Sequence, residues 1–265
     1  MRGALPIALA LLNAMTGMAA TSGFLLGVDY GEWSDSAAPV QMATDASGDL
    51  YILAGSIMNP SPSVTKLSAD GKTILWKRAL DGVMAAMAVD PAGNVYLVPA
   101  LVSIYQPLSV FVEKISVDGT MVVWRATLDF DLPTLSEVQP TIAVDSAGRA
   151  YVAGYDDTKG GYVVRLNAAG AVDYTTSVNG VPSSIAVDQA GAAYIAGTGP
   201  GLLDANSVAF LKRFAPDGSA GYSLNFPQMF YLFSFPPSIA ADLSGNVFVL
   251  GLAASGNAVL ERVDP

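Results

Sequence analysis

Short segments in which apolar residues alternate with small or polar residues recur along the chain after about residue 38. Five of them align without gaps, and in each Asp is followed by Gly three positions later and by Tyr or Phe six positions later. β-Branched and aromatic residues on both sides of a turn signal are typical of paired strands. The pattern therefore predicts five copies of a β-hairpin. The copies are MATDASGDLYILAG (42–55), MAVDPAGNVYLVP (87–99), IAVDSAGRAYVAG (142–154), IAVDQAGAAYIAG (185–197) and IAADLSGNVFVLG (239–251).

The repeated Asp and Gly have a structural explanation. An Asp side chain accepts hydrogen bonds from backbone N–H groups two residues on, and Gly adopts the positive φ that the turn requires. The carboxylates could alternatively bind calcium, but calcium needs several oxygens from one loop and each turn repeats only one carboxylate. We interpret them as turn caps and expect no cofactor, with calcium as the less favoured alternative. These residues are Asp45, Asp90, Asp145, Asp188 and Asp242.

A second hairpin follows each of the first four copies. Its segments are residues 64–77, 112–125, 163–176 and 211–224, each with Asp-Gly or Ala-Gly at the turn. An aromatic residue stands four or five positions after the turn glycine, where packing between neighbouring sheets is favoured over ligand stacking. These aromatic residues are Trp76, Trp124, Tyr174 and Tyr222.

Two hairpins make a four-stranded antiparallel sheet, and the hairpin aspartates recur at spacings of 45, 55, 43 and 54 residues. This period is that of propeller blades, so we predict an all-β fold, a five-bladed β-propeller. The "I-A-V-D-x-x-G-N-V-Y-V-x-G" hairpin followed by "K-L-x-x-D-G-x-x-x-W" resembles the bacterial SBBP-type β-propeller repeat, and NHL repeats are similar. The resemblance covers residues 38–265. It departs where Asp49, Arg149 and Ala192 replace Asn after the turn glycine.

The fifth copy continues into AVLERVDP (258–265), which aligns with the third strand of a blade. Upstream of the first complete blade, GFLLGVDY (23–30) has the composition of a strand. We predict that this N-terminal strand completes the fifth blade and closes the ring, which would protect the edge strands. The alternative is that the chain is a fragment of a larger ring.

The N-terminus has the pattern of a signal peptide. Arg2 precedes an apolar stretch (4–15), and small residues follow up to Ala20. We expect residues 1–20 to be the signal peptide and 21–265 a single propeller domain that is secreted, periplasmic or at the cell surface. An uncleaved anchor is disfavoured because the apolar run is short for a bilayer span, and no later stretch is long and apolar enough to be one.

The composition excludes several kinds of chemistry. The chain has 265 residues, no Cys and no His, which excludes thiolate nucleophiles, Cys or His metal sites and the Ser-His-Asp triad. The formal charge is −10, from 23 acidic and 13 basic residues, and the basic residues form no stripe that could bind nucleic acid. We expect a monomer.

Length variation is confined to the connections between second and third strands and between blades. These connections share one face of a propeller, and variable loops on a rigid scaffold are where binding usually occurs. The stretch 129–137 is acidic and apolar, and FPQMFYLFSFPP (226–237) is rich in aromatic residues. The aromatic stretch either forms an exposed binding patch or folds over the ring as a small satellite core. The candidate ligand-binding residues are Phe230, Tyr231, Phe233, Phe235, Asp129, Asp131, Tyr155 and Asp156.

The sequence favours an exported binding or scaffold module without catalytic residues, which engages an unknown protein or glycan through these loops. This hypothesis rests on the fold, since propellers serve many functions. The alternative is a hydrolase or lyase that uses paired carboxylates such as Asp129, Asp131 or Asp156 at the channel mouth. A third hypothesis is calcium binding by the acidic loops.

Overall fold

The computed structural model describes residues 39–56, 59–82, 84–99, 109–133, 139–199, 208–230, 236–242, 245–253 and 255–264. Regular secondary structure in these ranges consists of β-strands in antiparallel pairs, which confirms the predicted all-β class. Across the same ranges, no helix has the length and apolar character needed to cross a membrane.

We group the strands in chain order as blades A to E. Blade A contains β1 (Pro39–Thr44), β2 (Leu50–Ser56), β3 (Asn59–Leu67) and β4 (Ile74–Ala79). Blade B contains β5 (Met84–Val89), β6 (Val95–Pro99), β7 (Ser109–Ile115) and β8 (Val122–Asp131). Blade C contains β9 (Thr141–Val144), β10 (Ala150–Asp156), β11 (Gly160–Leu166) and β12 (Val172–Val178). Blade D contains β13 (Val181–Val187), β14 (Ala193–Thr198), β15 (Val208–Phe214) and β16 (Ala220–Phe230), and blade E contains β17 (Ser238–Ala241), β18 (Val247–Ala253) and β19 (Ala258–Val263).

Each of blades A to D is an antiparallel meander, because its strands are neighbours in the order in which they follow along the chain. This confirms the predicted four-stranded sheets. Blade E contains β18 between β17 and β19 in the described residues. The end of β16 also reaches this blade, where Met229 pairs with Ala253 and Phe230 with Leu252 of β18.

The first hairpin of each blade forms as the sequence predicts. In blade C, Asp145 accepts hydrogen bonds through Oδ1 from the N–H groups of Ala147 and Arg149, both at 3.0 Å. The N–H of Gly148 donates to the carbonyl of Asp145, and Gly148 has a φ of +73°. Because a side chain is strained at this φ, glycine is the residue that closes the turn best.

The hydrophobic core is divided among the interfaces between blades. All residues of β6 are buried, as in a strand covered on both faces. One core cluster joins Val98 and Val112 of blade B to Val152 and Val164 of blade C, and similar clusters join blade A to B, C to D and D to E. The blades therefore hold each other together mainly through buried aliphatic and aromatic side chains.

The first strands of the blades surround a channel. Residues of β1, β5, β9, β13 and β17 line this channel, whose cavity volume is about 160 Å³. Side-chain bonds join neighbouring first strands: Gln41 accepts from the N–H of Met87, and Ser184 accepts from the N–H of Ile239. Small and aliphatic residues form most of the remaining wall.

The aromatic residues of the fourth strands pack between blades, as the sequence predicts. Trp76 of blade A donates from Nε1 to the carbonyl of Val117 in blade B, at 3.0 Å. Trp124 makes the equivalent bond to Ala168 of blade C, also at 3.0 Å. The ring of Trp76 covers Gly119, where an added Cβ would lie 2.7 Å from ring carbon Cδ2.

Two predicted loops begin as strands. Residues 129–131 belong to β8, where Ser109 pairs with Asp131, and residues 226–230 belong to β16. Phe226 and Met229 are buried in the core between blades D and E. These two side chains thus belong to the core between two blades, which neither the exposed-patch nor the satellite-core alternative anticipated.

Candidate functional site

The described part of the variable face contains a group of charged and aromatic residues at the junction of blades B and C. We call it the loop-face cluster; it consists of Asp129, Phe130, Asp131, Asp156, Lys159 and Tyr162. The first three residues end β8, and the others belong to the hairpin that joins β10 to β11. A blade-to-blade connection and a second-to-third connection therefore meet here, as the sequence predicts for a shared face.

Asp156 fixes the shape of this cluster. It is 2% exposed, and its carboxylate accepts four hydrogen bonds, from the N–H groups of Asp131, Thr158 and Lys159 and from the Thr158 hydroxyl. Burial alone would raise the pKa of the Asp156 carboxyl, but these bonds outweigh it and lower the pKa to about 2. The carboxylate thus stays charged at neutral pH and ties blade B to blade C.

The outer part of the cluster is accessible to solvent. The Asp129 carboxylate is fully exposed and lies 2.9 Å from Lys159 Nζ. That ammonium also bonds to the Asp129 carbonyl and lies 5.2 Å from the centroid of the Phe130 ring. Phe130 stacks on buried Tyr162, with the ring centroids 3.9 Å apart and the planes at 16°. An aromatic ring, a cation and a carboxylate are thus held together at the surface.

The other candidate residues are placed as follows. Asp131 is exposed and accepts from the Ser109 hydroxyl at 3.2 Å, and Tyr155 is half-buried near the end of β10. Phe230 is the last residue of β16. The predictions that concern Tyr231, Phe233 and Phe235 lie outside the described residues.

The geometry of the cluster suits recognition of a polar ligand better than proton transfer by Asp156. A general acid needs a carboxyl pKa raised towards the working pH, whereas the pKa of Asp156 is lowered. Asp129 and Asp131 offer exposed carboxylate oxygens as acceptors, and Lys159 offers a donor. Within the described ranges, no group of three or more acidic residues has the arrangement of a metal site.

The opposite face, which we call the turn face, carries the repeated aspartates and shows a different chemistry. Besides capping its own turn, Asp145 accepts a hydrogen bond through Oδ2 from the Tyr151 hydroxyl, at 3.0 Å. The same hydroxyl is 3.2 Å from the carbonyl of Gly191 in blade D. The pairs Asp45 with Tyr51 and Asp90 with Tyr96 repeat this arrangement towards the next blade. The repeated Asp, Gly and Tyr therefore form a connection between blades.

Sequence reasoning missed a basic residue in this connection. In every blade the residue paired across the sheet with the repeated Tyr or Phe is Lys or Arg. Its constant position in the repeats could have revealed it. In blade A, Lys66 Nζ is 3.1 Å from Asp45 and 3.0 Å from Asp49. These basic residues are Lys66, Lys114, Arg165, Arg213 and Arg262.

The buried cation changes the electrostatics of the hairpin. Burial alone would raise the pKa of the Asp45 carboxyl, but the hydrogen bonds from Lys66 and Tyr51 outweigh burial and lower it. The pKa of Tyr51 is raised to about 12, mainly by burial, so its hydroxyl remains a donor at neutral pH. The carboxylate oxygens of Asp45 are thus already used by groups of the protein.

A cavity of about 520 Å³ lies at the channel mouth on the turn face. Its wall consists largely of the hairpin turns, including residues 44–48 and 144–146, and it shares residues with the channel. Ser47, Ser146 and Gln189 are exposed there. This mouth is built from repeated elements, in contrast to the loop-face cluster.

The chain is similar in fold to several solved structures. A protein of unknown function from Bacteroides caccae is 15% identical, with a TM-score of 0.58 over 86% of this chain and 78% of that chain. Hydrazine synthase from Kuenenia stuttgartiensis is 13% identical, with a TM-score of 0.58 over 91% and 70%. The WD40 domain of Toxoplasma gondii coronin is 10% identical, with a TM-score of 0.54 over 83% and 54%.

These similarities, together with the antiparallel four-stranded sheets, define the fold as a β-propeller. No protein-family model matches the chain, and no curated protein matches it in sequence. At identities this low the similarity concerns the fold alone, and a propeller fold does not specify an activity.

Proposed function

We propose that this protein is an exported, non-catalytic β-propeller that binds a protein or glycan through its loop face. The observation that carries the proposal is the contrast between the faces. In the first three blades the hairpin carboxylates bond to the protein itself, whereas Asp129 and Asp131 on the loop face are exposed. Recognition surfaces usually consist of exposed polar groups that rigid elements hold in place.

The loop-face cluster supports a ligand rich in hydroxyl or amide groups. Carboxylates accept hydrogen bonds from hydroxyl groups of sugars or from peptide N–H groups, and an aromatic ring supplies an apolar contact. The buried side chain of Asp156 holds the end of β8 in place, so that little conformational entropy is lost on binding. We propose that the aromatic residues Tyr231, Phe233 and Phe235 extend the same surface.

The aromatic part of the proposal is tested by binding to cell-envelope material. A variant with alanine at Phe230, Tyr231, Phe233 and Phe235 is compared with the wild-type chain on a glycan array and on solubilised envelope proteins. We expect the variant to lose binding while keeping its melting temperature. A matched control replaces Ile74, Leu75 and Met121, which are exposed apolar residues on or beside the outer strands. Equal binding by the aromatic variant and the wild type would contradict the proposal.

We further propose a ring of five blades, with repeats of the SBBP type, in which residues 23–30 pair with the outer edge of β19. In support, the first strands of blades A to E line one channel. In the described residues β19 pairs with β18 on one side. Deletion of residues 21–33 should lower the melting temperature sharply, because a strand at the closure of the ring would be lost. An unchanged melting temperature would contradict this closure.

Residues 1–20 are proposed to act as a signal peptide for export, and the mature chain to be a monomer without a cofactor. N-terminal sequencing of the exported protein tests the first statement, and light scattering tests the second. Calcium binding is tested by the melting temperature in millimolar calcium, since a ligand that binds the folded state stabilises it. An increase of the melting temperature in calcium would contradict the proposal that the protein has no cofactor.

A further inference from the structure

The connection between blades C and D contains Asn179-Gly180, the one Asn-Gly pair in the sequence. The two residues form a bend between β12, which ends at Val178, and β13, which begins at Val181. Asn179 is exposed and Gly180 is buried. Because glycine has no side chain, it hinders attack of its backbone nitrogen on the preceding side chain less than any other residue.

A lysine from blade D lies against this bend. Lys212 donates from Nζ to the carbonyl oxygen of Asn179, and the same Nζ lies 4.5 Å from the centroid of the Phe210 ring. The Asn179 carbonyl and the Gly180 nitrogen belong to one conjugated peptide group. If Gly180 N loses its proton, the negative charge is shared with that carbonyl oxygen. A hydrogen bond from a cation stabilises such an anion.

We propose that Asn179 is a self-modification site, at which Lys212 promotes conversion of the asparagine side chain to a carboxylate. Gly180 N gives its proton to solvent base and attacks Asn179 Cγ. The new N–C bond closes a five-membered imide, the bond from Cγ to the side-chain nitrogen breaks, and ammonia leaves with a proton from solvent. Water then adds to one imide carbonyl and opens the ring to aspartate or isoaspartate. The overall reaction consumes one water and releases one ammonia.

The packing around Gly180 gives this reaction a structural consequence. A Cβ on Gly180 would lie 2.5 Å from Phe210 Cε1 and 2.5 Å from the carbonyl oxygen of Thr198. The Gly180 carbonyl oxygen would lie 2.2 Å from a Cβ on Gly161. Isoaspartate adds a methylene group to the main chain where the neighbours leave little space, so it should weaken the junction of blades C and D.

The experiment follows the folded full chain at mildly alkaline pH by peptide mapping with mass spectrometry. We expect Asn179 to convert faster than Asn167, which precedes Ala and whose Oδ1 accepts from the N–H groups of Ala169 and Ala171. Lys212→Met should slow conversion about tenfold through loss of the charge-assisted bond, and Lys212→Arg should keep most of the rate. The matched control is Arg78→Met, since Arg78 donates from Nη1 to the Gly119 carbonyl between blades A and B. It should leave conversion unchanged.

An unchanged rate in folded Lys212→Met would overturn the role of the lysine. Conversion of Asn179 in the urea-unfolded chain but not in the folded chain would overturn the site itself. Asn179→Gln provides a second measurement that does not depend on the fold of a Lys212 variant. On ageing, the wild-type melting temperature should fall while that of Asn179→Gln stays constant, because glutamine closes the larger imide ring slowly. Equal losses in both chains would also contradict the proposal.

Discussion

The turn face and the loop face are built from the same blades, yet their polar residues have different partners. On the turn face, the repeated Asp bonds to its own hairpin and to a Tyr that reaches the next blade, and it does so in blades A, B and C. On the loop face, Asp156 accepts from Asp131 of blade B and from Thr158 and Lys159 of its own hairpin, and these residues do not recur in the other blades. Repetition in the sequence thus marks residues that connect blades.

The difference also explains where a binding surface can evolve. A turn-face substitution disturbs a connection that blades A, B and C share, whereas the ends of β8 and of the hairpin after β10 can change without altering the repeat. Asp129 shows this freedom, because its carboxylate is fully exposed and its ion pair with Lys159 is at the surface. Surface ion pairs contribute little to stability, so such residues are available for recognition.

The largest effect is expected for substitutions that break packing on the repeated hairpins. Gly119→Ala places a methyl group 2.7 Å from the Trp76 ring at a φ of +72° and should destabilise the fold by about 3–5 kcal/mol. Chemical unfolding measures the change. Gly256→Ala is a control for the backbone strain alone, because Gly256 has a φ of +80° and an added Cβ would meet no atom within 4 Å. Gly82→Ala is a control without either effect, because an added Cβ there also lies in open space. An equal loss in all three variants would show that the contact with the next blade is unimportant.

The repeated carboxylate provides the second prediction. Asp145→Asn weakens bonds to two backbone N–H groups, to Tyr151 and to Arg149, whose Nε is 2.6 Å from Oδ2. A loss of about 2–3 kcal/mol in the free energy of unfolding is expected, because the partners are buried or half-buried. Asp70→Asn, at an exposed turn of the second hairpin, should change stability much less. If the two substitutions had the same effect, the distinction between carboxylates that connect blades and carboxylates that only cap an exposed turn would fail.

The third prediction concerns pH and the loop face. The pKa of Asp156 is lowered from 3.8 to about 2, so its stabilisation is present above about pH 4 and disappears as the pH falls through about 2. Asp156→Asn should therefore lower stability by about 2 kcal/mol at neutral pH and have little effect near pH 2. The measurement is chemical unfolding at a series of pH values. Asp129→Asn is the control, and a difference from wild type that does not depend on pH would refute this role of Asp156.

The smallest effect comes from a pair of tyrosines. Tyr151→Phe removes a hydroxyl that contacts Asp145 and Gly191, and it should cost about 1 kcal/mol. The hydroxyl of Tyr174 is buried without a hydrogen-bond partner in the described structure, so Tyr174→Phe should be neutral or slightly stabilising. Thermal unfolding of the two variants side by side distinguishes these outcomes. Equal losses would indicate that Tyr174 donates a hydrogen bond in solution.

The repeated part of the fold could be predicted from the sequence because its determinants are local. Asp45 and Gly48 make their turn within five residues, and Trp76 stands at a fixed distance from its turn, so comparison of copies identifies their roles. The basic residue represented by Lys66 was equally visible in the repeats. Its role was missed because its partner Asp45 is distant in sequence and becomes close only through pairing of β2 with β3.

The candidate site was less predictable. Asp156 was identified as a candidate because it is acidic and outside the repeat, but its bond to the N–H of Asp131 joins two blades and has no local signal. The aromatic stretch 226–237 was interpreted as a loop, either an exposed patch or a satellite core, and its first five residues are instead strand. The pairing of Phe230 with Val208 of β15 and Leu252 of β18 shows that β16 continues to Phe230.

The central claim is that the loop face binds and the turn face supports the fold. The most direct test measures binding of solubilised envelope proteins and arrayed glycans by two folded variants. One carries Asp129→Ala and Asp131→Ala on the loop face, and the other carries Ser47→Ala and Ser146→Ala, which are exposed at the turn-face mouth. We expect the first variant to lose binding and the second to bind like the wild type. Retained binding by the first variant with loss in the second would contradict the account.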